Sequence, residues 1–259
     1  MRPRMTPGRA QPLSFCAALV GLSTGFFVAL SVGLLAPAAA EGWNAARFDP
    51  PAKVETATDA EGREITCTVY PDLVVRESDT GTPEPGDAAL IPIRGGPPVV
   101  CRAAPGASAR RLETGGQRFI GRADGFLVFE DASTNGTMPF AVIDAGTGRS
   151  LFTDTTTYDG IDSFASEGAT LRLGFRRGVQ GACSIPQGGA ACWARIVRED
   201  KLPAPVAALP APAKACAQAY RAGKAPKDTP SIVSFPVRLV WTGRLAVEAD
   251  GPVRCLPTP

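Results

Sequence analysis

The sequence predicts a mainly all-β protein: an antiparallel sandwich, barrel or propeller-like meander, with one short helix near its C-terminal end. Two observations carry this. Apolar residues alternate with polar ones at a period of two through much of the chain, and turn signals bearing Gly and Asp separate the alternating runs. A third observation, an even set of cysteines in a chain with an export-type start, adds covalent bracing.

The chain opens MRPRMTPGRAQ, with Arg2, Arg4 and Arg9 ahead of an uncharged apolar run over residues 13–36, then Pro37-Ala38-Ala39-Ala40 before Glu41. Basic start, apolar middle and small-residue end read as a secretory signal peptide over residues 1–40, cleaved after Ala40. The run also approaches the roughly 20 apolar residues that span a bilayer, so an uncleaved anchor is the alternative. Either reading exports the remainder, which makes the location periplasmic or secreted. Abundant Ala, Pro, Gly and Arg point to a bacterium.

Residues 41–63 are polar and aperiodic and read as a flexible lead-in. Residues 64–201 read as a disulfide-stabilised β-domain. In it Ile65, Cys67 and Val69 alternate with Thr66, Thr68 and Tyr70, and Leu171, Leu173 and Phe175 with Arg172, Gly174 and Arg176. Further strands are expected over 118–120, 126–130, 140–144, 150–153 and 193–198, with turns at Asp124-Gly125, Asn135-Gly136, Gly146-Thr147-Gly148 and Asp159-Gly160. Residues 202–213, containing LPAPVAALPAP, read as a Pro/Ala-rich linker of extended backbone. Residues 214–259 then hold a helix over 214–222, ended by Gly223, followed by strands near 237–241 and 245–248. They form either a small lobe or the final part of the same domain.

Cys16 leaves with the leader, and six cysteines remain: Cys67, Cys101, Cys183, Cys192, Cys216 and Cys255. An even count in an exported chain implies disulfides, and six cysteines allow 15 pairings. The simplest is sequential, 67 with 101, 183 with 192 and 216 with 255, each contributing roughly 3 to 4 kcal/mol on the chain-entropy model. Zinc is disfavoured, because no two cysteines stand two to four apart and the chain has no histidine. The segment between residues 177 and 192 reads as a long Gly-rich loop that a Cys183–Cys192 bridge would staple.

The lack of histidine excludes Ser-His-Asp and Cys-His catalysis. Carboxylate chemistry remains, as in glycan cleavage. Residues 124–167 carry eight acids, Asp124, Glu130, Asp131, Asp144, Asp154, Asp159, Asp162 and Glu167, against Arg149 alone. Residues 94–122 carry six arginines against Glu113. Without Arg2, Arg4 and Arg9 the 27 basic residues become 24 against 25 acids, and a net charge near −1 argues against a nucleic-acid partner.

Asp131, Ser133, Asn135 and Gly136 match the first half of a calcium loop, but its twelfth position is Val142, where a bidentate Glu belongs. A hairpin turned by Asn135-Gly136 is the favoured reading, and a calcium-stabilised domain an alternative. No cofactor is expected. The sequence thus reads as an exported envelope protein, a non-catalytic binding or structural module whose partner is a protein or glycan of the cell envelope. A carboxylate-dependent glycan hydrolase is the rival.

Overall fold

A computed structural model describes residues 48–79, 87–95, 99–131, 136–249 and 251–259. The expected leader over 1–40, the first part of the lead-in, and residues 132–135 of the hairpin-or-calcium stretch lie outside the described residues.

Two antiparallel sheets face each other as a sandwich, and neither closes into a barrel. The smaller is a simple meander of β1 (Lys53–Thr58), β2 (Glu64–Val69), β3 (Leu73–Asp79), β4 (Ala88–Pro92) and β5 (Arg110–Leu112). The larger begins with β6 (Arg118–Ala123), β7 (Phe126–Glu130), β8 (Met138–Asp144), β9 (Ser150–Glu167) and β10 (Thr170–Gln180). After three helices, α1 (Ile185–Glu199), α2 (Ala204–Ala207) and α3 (Ala213–Ala222), it is completed by β11 (Ser231–Trp241), β12 (Leu245–Ala249) and β13 (Arg254–Pro257). β12 and β13 both pair with β11, at opposite ends of that strand. Residues 214–259 therefore supply strands to the same sheet that β6 begins.

Alternation along β7 and β8 divides two cores. Leu127, Phe129 and Ile143 point to the smaller sheet and meet Tyr70, Leu73, Val75, Leu90 and Leu112. Phe126, Val128, Phe140 and Val142 point the other way, into the main core. Burial on both faces is why β7 reads FLVFE, almost without polar interruption.

The 18-residue strand β9 bends the larger sheet back on itself. Its residues 150–156 pair with β8, and residues 156–167 pair with β10 across register shifts at Phe175. Such bulges kink a strand and increase its twist. Phe140 on β8 thereby meets Phe175 on β10 with ring centroids 5.0 Å apart, and Phe152 on β9 meets Trp241 on β11 at 6.3 Å.

Several expectations are corrected. The turn expected at Asp159-Gly160 is absent: β9 runs through both residues, with Gly160 at φ +65°. Residues 53–58 of the lead-in form β1, hydrogen-bonded to β2 in register from Lys53 opposite Val69 to Thr58 opposite Glu64. As an exposed edge strand it has no continuous apolar face to reveal it. Residues 193–198 are helix, not strand: Ile185, Cys192, Trp193 and Ile196 are buried at helical spacing along α1. That helix also takes up most of the expected Gly-rich loop, with Gly189 at φ +53° accommodating a kink between its two parts. Residues 202–213, read as a linker, hold α2 and bury Leu202 and Val206 in the main core. The helix expected over 214–222 is present as α3.

Three disulfides join Cys67 to Cys101, Cys183 to Cys192 and Cys216 to Cys255, the sequential pairing. The first brings the loop carrying Val99 and Ala109 into a third, small core on the far face of the smaller sheet, with Ile65, Val74 and Ile91. Buried Arg76 donates from Nε to the Cys101 carbonyl at 3.3 Å beneath it. The second staples the start of α1, and the third ties α3 to β13.

Candidate functional site

A concavity among the described residues lies beside α3. Its backbone is set by Pro203, Pro210 and Pro212, each fixing φ near −65° and lacking an N–H. Trp193 of α1 lies beneath the segment, its indole N–H donating to the Leu209 carbonyl at 3.0 Å. The Cys216–Cys255 bridge fixes α3 from behind, with Cys216 fully buried. Between the proline segment, α3 and the chain before β13 runs a groove of about 430 Å³. Leu209, Pro210, Ala215 and Val253 make it apolar, and Lys214 and Gln218 supply its polar groups. Among the described residues that line it there is no aromatic ring and no carboxylate.

A buried polar cluster supports the same region. The Tyr220 hydroxyl donates to the Thr229 carbonyl at 2.7 Å and lies 2.7 Å from Ser231 Oγ, which accepts the Ile185 backbone N–H at 2.9 Å. Ser184 donates to the Lys227 carbonyl. The start of α1, the end of α3 and β11 are thus locked together by buried and half-buried bonds.

The acids of residues 124–167 are dispersed. Asp124 sits in the β6–β7 turn at φ +49°. Asp144 closes the β8–β9 turn, its Oδ1 accepting the Thr147 N–H at 2.6 Å and hydroxyl at 2.7 Å. Glu167 is the last residue of β9, 4.0 Å from Arg172. Asp131 donates its backbone N–H to Pro139 O at 2.8 Å, continuing the β7–β8 hairpin. Asp162 lies on β9.

Glu130 and Asp154 are different. Both are register partners of Phe140, so they flank it on one row with Cα atoms ~10 Å apart. Glu130 is 6% exposed and accepts only a 3.2 Å bond from the Thr156 hydroxyl among its described contacts. Burial raises its pKa above the usual carboxylate range, and the neighbouring Asp131 charge adds to the rise. Asp154 is clasped by Arg177, whose Nε donates to its two oxygens at 2.8 and 3.0 Å. Phe140, fully buried, fills the space between the two carboxyls, so no substrate-sized cleft joins them.

The basic segment pairs with acids of the smaller sheet and of the chain ahead of it: Arg111 with Asp87, Arg118 with Asp79, and Arg122 with Asp72 and Asp49. All six candidate cysteines are in disulfides and none is a free nucleophile. Among the described residues no three Cys, Asp or Glu side chains converge as a metal site requires.

Sequence reasoning missed the groove because a stretch with prolines at 203, 205, 210 and 212 reads as an extended linker. The signal was Leu202, Val206 and Leu209, spaced as the apolar face of a short helix. Comparison with protein-family models, curated proteins and solved structures finds no match for this chain.

Proposed function

We propose that this chain is an exported component of a bacterial cell envelope that binds a protein partner through the groove beside α3 and catalyses no reaction. The observation that carries the reading is the construction of the groove. Proline-fixed backbone, a disulfide-tethered helix and a buried tryptophan make an apolar concavity whose shape is set before any partner arrives, which lowers the entropic cost of binding. Three disulfides fit an oxidising compartment, and no helix among the described residues is long and apolar enough to cross a membrane. Aliphatic walls without aromatic rings favour an apolar peptide side chain over a sugar face, and Lys214 favours an acidic neighbour to it.

Placing a photo-crosslinking residue at Gln218 tests this in cells. One discrete protein adduct is expected, lost when Ala215→Trp fills the groove of a chain that keeps its unfolding midpoint. Adducts unaffected by Ala215→Trp would overturn the reading.

Glycan cleavage is the second reading, favoured by a buried carboxyl whose pKa is raised, Glu130, on the same row as a second carboxyl, Asp154. Burial of Phe140 between them and the Arg177 clasp weigh against it. Release of reducing ends from envelope glycan, abolished by Glu130→Gln, would establish it over the binding reading.

A further inference from the structure

Strand β12 ends the larger sheet. It pairs with β11 on one side and with no strand on the other among the described residues. Leu245 and Val247 are 44% and 40% exposed there. Their register partners, Trp241 and Leu239, belong to the main core or pack against it, and one row runs Phe164, Leu173, Leu239, Val247 across four strands. The apolar face of the sheet therefore reaches its edge uncovered. An exposed edge with unpaired backbone groups and apolar side chains is a template for another strand.

The sequence of the edge identifies that strand. Residues 244–248 read Arg-Leu-Ala-Val-Glu, which is complementary to itself when reversed about Ala246. Antiparallel pairing with a second copy sets Arg244 opposite Glu248 of the second copy, twice, and Leu245 opposite its Val247, twice. Because side chains alternate, both charge pairs fall on the outer face and both apolar pairs on the inner. The inner row then continues without a break: Leu173, Leu239, Val247, then Leu245 and Trp241 of the second copy. Glu248 already faces Arg238 across β11, so the seam would give it an arginine on each side. Moving the axis to Val247 sets Glu248 against Ala246 and loses both of these charge pairs.

We infer that this chain forms a two-fold symmetric dimer by antiparallel pairing of β12 with β12 of a second copy about Ala246, joining two eight-stranded sheets. The seam takes Leu245–Glu248 of β12 and Arg244, the turn residue just before it, from each copy, five residues a side. That is small against the roughly 1,000 Å² a stable interface buries, and the dimer is concentration-dependent.

The test uses the full oxidised chain carrying Cys16→Ser and Ala246→Cys. Position 246 is exposed and lies on the axis, so the new thiols of two copies face each other and a disulfide-linked dimer is expected on a non-reducing gel. Adding Arg244→Glu sets like charges opposite each other twice and is expected to slow cross-linking about tenfold or more; adding Glu248→Arg to that chain restores it. Sedimentation of the same charge variants without Ala246→Cys reads the dissociation constant independently of the engineered thiol. Absence of cross-linked dimer together with a monomer by sedimentation overturns the inference, and so does a dimer insensitive to charge reversal.

Discussion

Glu130 shows how one side chain couples burial to pH. A carboxyl whose pKa is raised on folding binds its proton more tightly in the native state, so its contribution to stability is present below the unfolded pKa of about 4.3 and is lost as pH rises through the folded value. Glu130→Gln keeps an oxygen for the Thr156 hydroxyl and removes the buried charge. Its unfolding midpoint is expected to exceed wild type at pH 8, with the difference closing towards pH 4; an unchanged difference across that range would show that the charge is not the cause. Gly178 carries a steric prediction. A Cβ there would lie 2.8 Å from the Thr156 carbonyl and 2.9 Å from methyls of Thr137 and Thr157. Gly178→Ala is expected to cost about 1 to 3 kcal/mol in urea unfolding. Asp144 was legible as a turn residue, because Asp-x-x-Thr-Gly states its own hydrogen bonds. Glu130 was not distinguishable from the other acids, since its burial comes from β9 and β10, strands remote in sequence.

At the scale of elements, the disulfides and the helices they hold govern the groove. The bridged residues are separated by 34, 9 and 39 positions. Chain entropy then ranks the Cys183–Cys192 bridge weakest, at roughly 2.5 kcal/mol and so below the 3 to 4 kcal/mol expected of each bridge, with the other two near 4. Replacing each pair by serines should lower the urea midpoint in that order. Only the Cys216–Cys255 pair should also free α3 from β13, read as hydrogen exchange over residues 213–222. Trp193→Phe removes the donor to Leu209 and is expected to cost about 1 kcal/mol, with faster exchange confined to residues 202–212. Strands whose two faces differ, such as those beginning at Ile65 and Leu171, were readable from alternation. β3 and β4 were missed because a covering loop buries their second face and erases the alternation. α1 was mistaken for a strand because six residues from Trp193 are too few to show a period of 3.6, and its Gly188-Gly189 pair hid the first turn.

Across the whole molecule, the seam between the sheets is both apolar and ionic. Arg122 of β6 donates to both oxygens of Asp72 in the β2–β3 turn, lies 3.7 Å from Asp49, and stacks 5.2 Å from the centre of the Tyr70 ring. Burial at this seam pushes the Tyr70 phenol up to about 12. The hydrogen bond from Arg122 holds Asp72 below its ordinary value, so the stability it lends is present above an unfolded pKa of about 3.9 and lost as pH falls through the folded value. Asp72→Asn should therefore flatten the acid limb of the stability profile and leave the alkaline limb unchanged.

Local sequence was enough for what depends on neighbours along the chain: the period-two strands, most of the Asp and Gly turns, the short helix at 214–222 and, through cysteine parity, the disulfide bracing. Which strands share a sheet was settled by the folded chain, because pairing depends on register between segments far apart. The bend in β9 placed Phe140 against Phe175 and closed the space between Glu130 and Asp154. The packing of Val206 and Trp193 turned a proline-rich stretch into one wall of a groove. The end of the sheet at β12 left Leu245 and Val247 exposed, although their alternation alone reads as buried.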